Sequence, residues 1–80
     1  MELTADQRRA LAMIAGAGPH GITEELMVEV HAFALELLVE LIRRRYATAA
    51  TETIRTGNLI AHTVRLRITN AGRDALASEP

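Results

Sequence analysis

Between Thr63 and Thr69 the chain alternates strictly. Val64, Leu66 and Ile68 are apolar, and Thr63, Arg65, Arg67 and Thr69 are polar. A period of two sends successive side chains to opposite faces, so this segment predicts a half-buried strand. Thr69 then offers a helix N-cap, and residues 73–77 read as a short terminal helix. Near the start, Ala10, Leu11 and Ile14 form an apolar stripe at helical spacing, which predicts a first helix over residues 5–15. Thr4 is its natural N-cap, and Gln7, three residues on, completes a capping box. The run Gly16-Ala17-Gly18-Pro19-His20-Gly21 ends that helix.

A second helix is expected after Thr23. Ile22 and Met27 have the spacing of a hydrophobic staple, and Glu24 and Glu25 fall in the first turn, where the helix dipole favours negative charge. No Gly or Pro occurs from Thr23 to Thr56, so local signals allow residues 24–45 to be one helix or two. One unbroken helix would be apolar nearly all round between Val30 and Ile42 and would need burial on every side. A break near His31 to Phe33 divides that surface between two packed helices and is the preferred reading. After Tyr46 the composition turns to Thr and Ala over residues 47–54, which predicts a strand. Arg55-Thr56-Gly57-Asn58 is a turn signal, and residues 62–69 return as the partner strand. This hairpin would have a loop of about six residues, longer than the tight two-residue kind. A short third strand near Gly21-Ile22 could join it.

Eighty residues allow one domain and one core. Phe33 and Tyr46 are the only aromatic residues, so that core must be built from Leu, Ile, Val, Met and Ala. So small a domain has a narrow stability margin, which a partner chain covering apolar surface would widen. Cysteine is absent, which excludes disulfides, a thiol nucleophile and a Cys-based zinc site. The N-terminal residues lack a positive region followed by an apolar run. The apolar stretch from Val30 to Ile42 is interrupted by His31, Glu36 and Glu40 and is too short to span a bilayer. The expectation is a cytoplasmic protein without a membrane partner. Charge is uneven: residues 1–42 hold two Arg and seven acids, for −5, and residues 43–80 hold seven Arg and three acids, for +4. This follows from solvated faces of different sign or from a basic C-terminal surface that meets an anion.

Met27, Val30, His31, Leu37 and Leu41 stand at the landmark spacing of a helix-turn-helix unit, and Thr69-x-x-Gly72-Arg73 closes the chain as such domains often close. Over residues 4–77 the chain resembles a winged helix domain. It is similar to bacterial transcriptional regulators of the multiple-antibiotic-resistance type, without their dimerisation helices. The resemblance implies an α+β, mainly α fold: a three-helix bundle, a two- to three-stranded β wing and a short C-terminal helix. Two residues depart from the pattern. His31 replaces the turn Gly, which often takes a positive φ, and Phe33 stands where a capping Ser or Thr is usual.

In such a domain the third helix, over residues 34–45, would approach base edges. Leu37, Leu38, Leu41 and Tyr46 would face inward, and Leu35, Glu36, Val39, Glu40 and Arg43 outward. Base readers are Arg, Lys, Asn and Gln, and the start of this helix has none of them. Glu36 and Glu40 would repel phosphate. Leu35 and Val39, with Phe33 nearby, suit a protein contact, unless a different helix phase buries them in the core. Basic candidates for phosphate lie elsewhere. Arg43 and Arg44 close the third helix, where they would also complement its dipole; Arg55 is at the wing tip; Arg65 and Arg67 are on the outward face of the second strand. Arg73 is expected to pack its stem over the sheet.

Two functions follow. One is a DNA-binding transcriptional regulator that contacts phosphates through Arg43, Arg44, Arg55, Arg65 and Arg67. The other is a protein-interaction or self-association module using Phe33, Leu35, Glu36, Val39 and Glu40. No enzyme is read. His20, His31 and His62 lack metal-ligand spacing, Ser78 is the sole Ser, and Gly16, Gly18 and Gly21 do not follow a strand as a phosphate loop would. No cofactor and no small-molecule substrate is expected.

Overall fold

The computed structural model describes residues 3–78. It is an α+β fold of four helices and a three-stranded antiparallel sheet. Helix α1 spans Ala5–Gly16 and begins with the expected capping box: Gln7 N–H donates to Thr4 Oγ1 at 3.1 Å, and Thr4 N–H donates to Gln7 Oε1 at 3.0 Å. Ala10, Leu11 and Ile14 are its buried face. A single 3₁₀ turn, Gly18–His20, leads into strand β1, Ile22–Thr23.

Helix α2 covers residues 24–30. Thr23 Oγ1 caps it by accepting from Leu26 N–H at 3.3 Å. Its Leu26–Val30 portion is wound as a π-helix, with His31 N–H donating to Leu26 O at 3.1 Å. The chain then breaks, as preferred from the apolar pattern. The left-handed residue at the break is Ala32, at φ 59°, while His31 keeps φ −99°. The π winding also corrects one landmark of the helix-turn-helix spacing. It advances fewer degrees per residue than an α-helix, so Val30 no longer shares the buried side of Met27 and is 66% exposed.

Helix α3 is Leu35–Arg43, with Ala34 as an N-cap that makes no side-chain hydrogen bond. It ends in a Schellman turn: Arg45 N–H donates to Ile42 O at 2.9 Å and Tyr46 N–H to Leu41 O at 3.0 Å, with Arg45 at φ 63°. Strands β2 (Ala47–Thr56) and β3 (Leu59–Ile68) follow, paired from Thr56↔Leu59 to Ala47↔Ile68. The hairpin loop is therefore the tight two-residue kind, Gly57-Asn58, and not one of six residues. Gly57 takes φ 62°, the positive value the first position of such a turn needs, and the ladder continues through Arg55 and Ile60. Strand β1 pairs Ile22 with Leu66 and Thr23 with Arg65, giving the sheet order β1-β3-β2.

Helix α4, Asn70–Ala77, begins three residues before the expected start because Thr69 caps it directly: its Oγ1 accepts from Gly72 N–H at 3.0 Å and donates to Arg45 O at 2.6 Å. One hydroxyl thus ties the start of α4 to the end of α3. Gly72 is buried against the Tyr46 carbonyl and Ile68, where a Cβ would collide with both. Helix α1 packs against α3, α4 and β3, and α3 against β2. Leu11, Ile14, Met27, Leu38, Leu41 and Leu66 are the large, fully buried core side chains. The distal hairpin leaves this core, and the described residues extend over 49 × 23 × 20 Å. No helix among them is long and apolar enough to cross a membrane.

Candidate interaction surface

The outward face of α3 has the expected phase. Leu38 and Leu41 are buried and Leu37 is half-buried, while Leu35 and Val39 stand 47% and 45% exposed. Around them lies an open groove of about 420 Å³ lined by Leu35, Glu36, Val39, Glu40 and Arg43. A second groove, about 290 Å³, opens between α2 and β3, where Glu24, Glu25, Val28 and Glu29 face His62, Thr63 and Val64. Leu35 lines both, so the two grooves flank its side chain and are the two parts of one trough region across the start of α3. Its apolar residues are Val28, Leu35, Val39 and Val64, and five carboxylates border it: Glu24, Glu25, Glu29, Glu36 and Glu40. Arg43 and His62 are its only basic residues, and His62 Nδ1 lies 3.3 Å from Thr53 Oγ1.

Phe33 is not part of this surface. The reversal at Ala32 lets Phe33 N–H donate to Met27 O at 3.0 Å and turns the ring into the core, 3% exposed. The Arg9 guanidinium covers it, 4.9 Å from the ring centroid. Phe33 seals the junction of α1 with the α2–α3 turn.

The basic candidates separate into two groups. Arg65 and Arg67 lie on the sheet face away from the core, as the alternation requires, but the 3₁₀ turn partly covers that face. Arg67 Nε donates to Pro19 O at 3.1 Å, and Arg65 donates to His20 O at 3.4 Å and pairs with Glu52 diagonally across the hairpin. Both are half-buried and already engaged with other parts of the chain. The Arg65 hydrogen bond holds the Glu52 carboxyl below its ordinary range. Desolvation opposes it in part, and the charges of Arg65 and then Arg67 add lesser lowering effects. Arg44 is half-buried and pairs with Glu40 at 3.6 Å. Arg43 and Arg55 are exposed and form no ion pair with another described residue; the same holds for Arg45 and for Arg73.

The surface also holds residues that strand alternation does not single out. At the hairpin tip Ile54, Leu59 and Ile60 are 49%, 74% and 56% exposed, with Arg55 directly opposite Ile60. The apolar residues flanking the turn signal belong to paired strands that run past the edge of the core. The carboxylates of α2 are legible as a charged helix face, but their position facing β3 depends on the packing. Among the described residues no group of three His, Cys, Asp or Glu could hold a metal ion. No family model matches the sequence, and no curated protein or solved structure matches it.

Proposed function

We propose that this chain is a winged-helix-like module that binds protein through the trough across α3. The order helix, strand, helix, helix, two-stranded hairpin, helix, with sheet order β1-β3-β2, supports the winged-helix reading. One observation carries the functional reading: the helix that would enter a DNA groove presents exposed Leu35 and Val39 beside Glu36 and Glu40, and on the other side of Leu35 the α2 carboxylates Glu24, Glu25 and Glu29 extend the acidic border. Duplex DNA carries one negative charge per ~1.7 Å of its axis, so that border opposes the main, salt-dependent part of DNA affinity. A small apolar patch with a charged rim suits a protein partner.

The test is the double variant Leu35→Glu with Val39→Lys. Both side chains are half exposed, so the variant keeps its far-ultraviolet circular dichroism and its cooperative melt while association measured by sedimentation is lost. A variant that unfolds would assign these residues to the core and remove the reading.

Regulation through DNA is the second reading, favoured by Arg43, Arg45 and Arg55, which lack ion-pair partners among the described residues. Fluorescence anisotropy of a labelled random duplex at about 50 and about 200 mM salt separates the two. Micromolar binding that collapses with salt replaces the protein reading. No binding at low salt removes the DNA reading.

A further inference from the structure

Building on the protein-binding reading of the trough, we propose that its occupant is the hairpin tip of a second copy of this chain, exchanged reciprocally. Trough and tip are complementary in character. The trough offers Leu35 and Val39 beside Glu36 and Glu40; the tip offers Ile60 beside Arg55 on one face of the hairpin, and Ile54 with Leu59 on the other. Arg55 and Glu36 are both exposed and have no ion-pair partner among the described residues.

A tip cannot fill the trough of its own chain. The strand that bears Leu59 and Ile60 also lines the trough at His62, Thr63 and Val64, and its pairing with β2 is unbroken from Thr56↔Leu59 inward. Strand β3 is continuous from Leu59 through Val64, so the extended ladder carries Leu59 and Ile60 outward from the trough-lining His62 and does not fold them back onto it. A two-fold axis lets each copy contribute one tip and one trough. It thereby covers both unpartnered apolar surfaces in a single closed, isologous contact. For a small core with only two aromatic residues in the chain, that added burial also supports folding.

Charge reversal tests the exchange on the full chain by analytical ultracentrifugation. Wild type forms a dimer. Arg55→Glu alone and Glu36→Arg alone each place like charges together at both contacts and weaken dimerisation by at least about tenfold. Mixing the two variants restores a dimer, because in the heterodimer each tip again meets a trough of opposite charge. Circular dichroism checks that each variant is folded, as expected for exposed positions. Failure of the mixture to re-form a dimer, or Arg55→Glu dimerising like wild type, overturns the exchange. If Leu35→Glu with Val39→Lys abolishes association and Arg55→Glu does not, the trough stands as a protein site and the hairpin tip falls as its occupant. A wild-type chain that stays monomeric at all concentrations also overturns the exchange, and the trough reading then rests on the duplex titration.

Discussion

Two non-glycine residues, Ala32 and Arg45, hold left-handed φ values of 59° and 63°, and both sit where the chain reverses at an end of α3. The left-handed region costs an L-residue about 1–2 kcal/mol, and Gly removes that while adding about 0.5–1 kcal/mol of unfolded-state entropy. Ala32→Gly should therefore stabilise the fold by roughly 0.5–1 kcal/mol, read as a rise in thermal midpoint of a few degrees. Gly72 is the opposite case. A methyl group there meets the Tyr46 carbonyl and Ile68, so Gly72→Ala should destabilise by about 1–3 kcal/mol or more in urea unfolding. Glu52 gives a pH signature. Its folded pKa is depressed, so its contribution is complete above the ordinary glutamate value, about 4.3, and is lost as pH falls through the lowered value. Glu52→Gln should flatten the acid limb of stability against pH in that window. Its effect at neutral pH should be small, because the pair with Arg65 is partly solvated.

Helix α3 is amphipathic and well terminated, but it starts without a cap. Ala34 has the extended backbone of an N-cap, φ −69° and ψ 137°, and no side-chain oxygen to accept the first free N–H groups. Ala34→Asp should add about 0.5–2 kcal/mol of stability, seen as a higher thermal midpoint. Arg65 and Arg67 act at the scale of elements as well: they fasten the 3₁₀ turn Gly18–His20 to β3 through the Pro19 and His20 carbonyls. Replacing both with Ala should cost about 1–2 kcal/mol of stability, since charge-assisted bonds are stronger than neutral ones and these are half-buried. The contribution of these residues to any DNA affinity should be correspondingly minor.

The molecule as a whole pairs a small apolar core with a hairpin that extends beyond it. Thr53↔His62 and Ile54↔Ala61 are matched pairs, so excising these four residues shortens the hairpin without changing which side chains share a face. The shortened chain should fold with stability within about 1 kcal/mol of wild type, because those positions are exposed and outside the core. The excision also takes Ile54 from the tip and His62 from the trough lining, so dimerisation by sedimentation should be lost if tip and trough meet. If the exchange forms, added salt should also weaken it, since Arg55 and Glu36 are exposed charges subject to screening.

The sequence by itself determined most of the elements and the inward faces of α1, α3 and β3. The capping box at Thr4, the Thr69 cap and the 3.6 and 2.0 periodicities are local, and each is complete within a few residues of chain. They also set the phase of α3, so Leu35, Glu36, Val39, Glu40 and Arg43 were legible as its outward face. Only the tertiary structure decided what covers each face. Alternation placed Arg65 and Arg67 away from the core, but their engagement with the Pro19 and His20 carbonyls depends on a turn more than 40 residues away in sequence. Phe33 went inward because the reversal fell at Ala32, and Val30 went outward because α2 widened into a π-helix; neither departure has a marker residue. The hairpin loop was shorter than its composition implied because backbone pairing, not side-chain preference, carried both strands to Gly57-Asn58. The acidic trough likewise required packing. Carboxylates on α2, Leu35 on α3 and Val64 on β3 border one groove only after the helices dock on the sheet, because that juxtaposition depends on contacts distant in sequence.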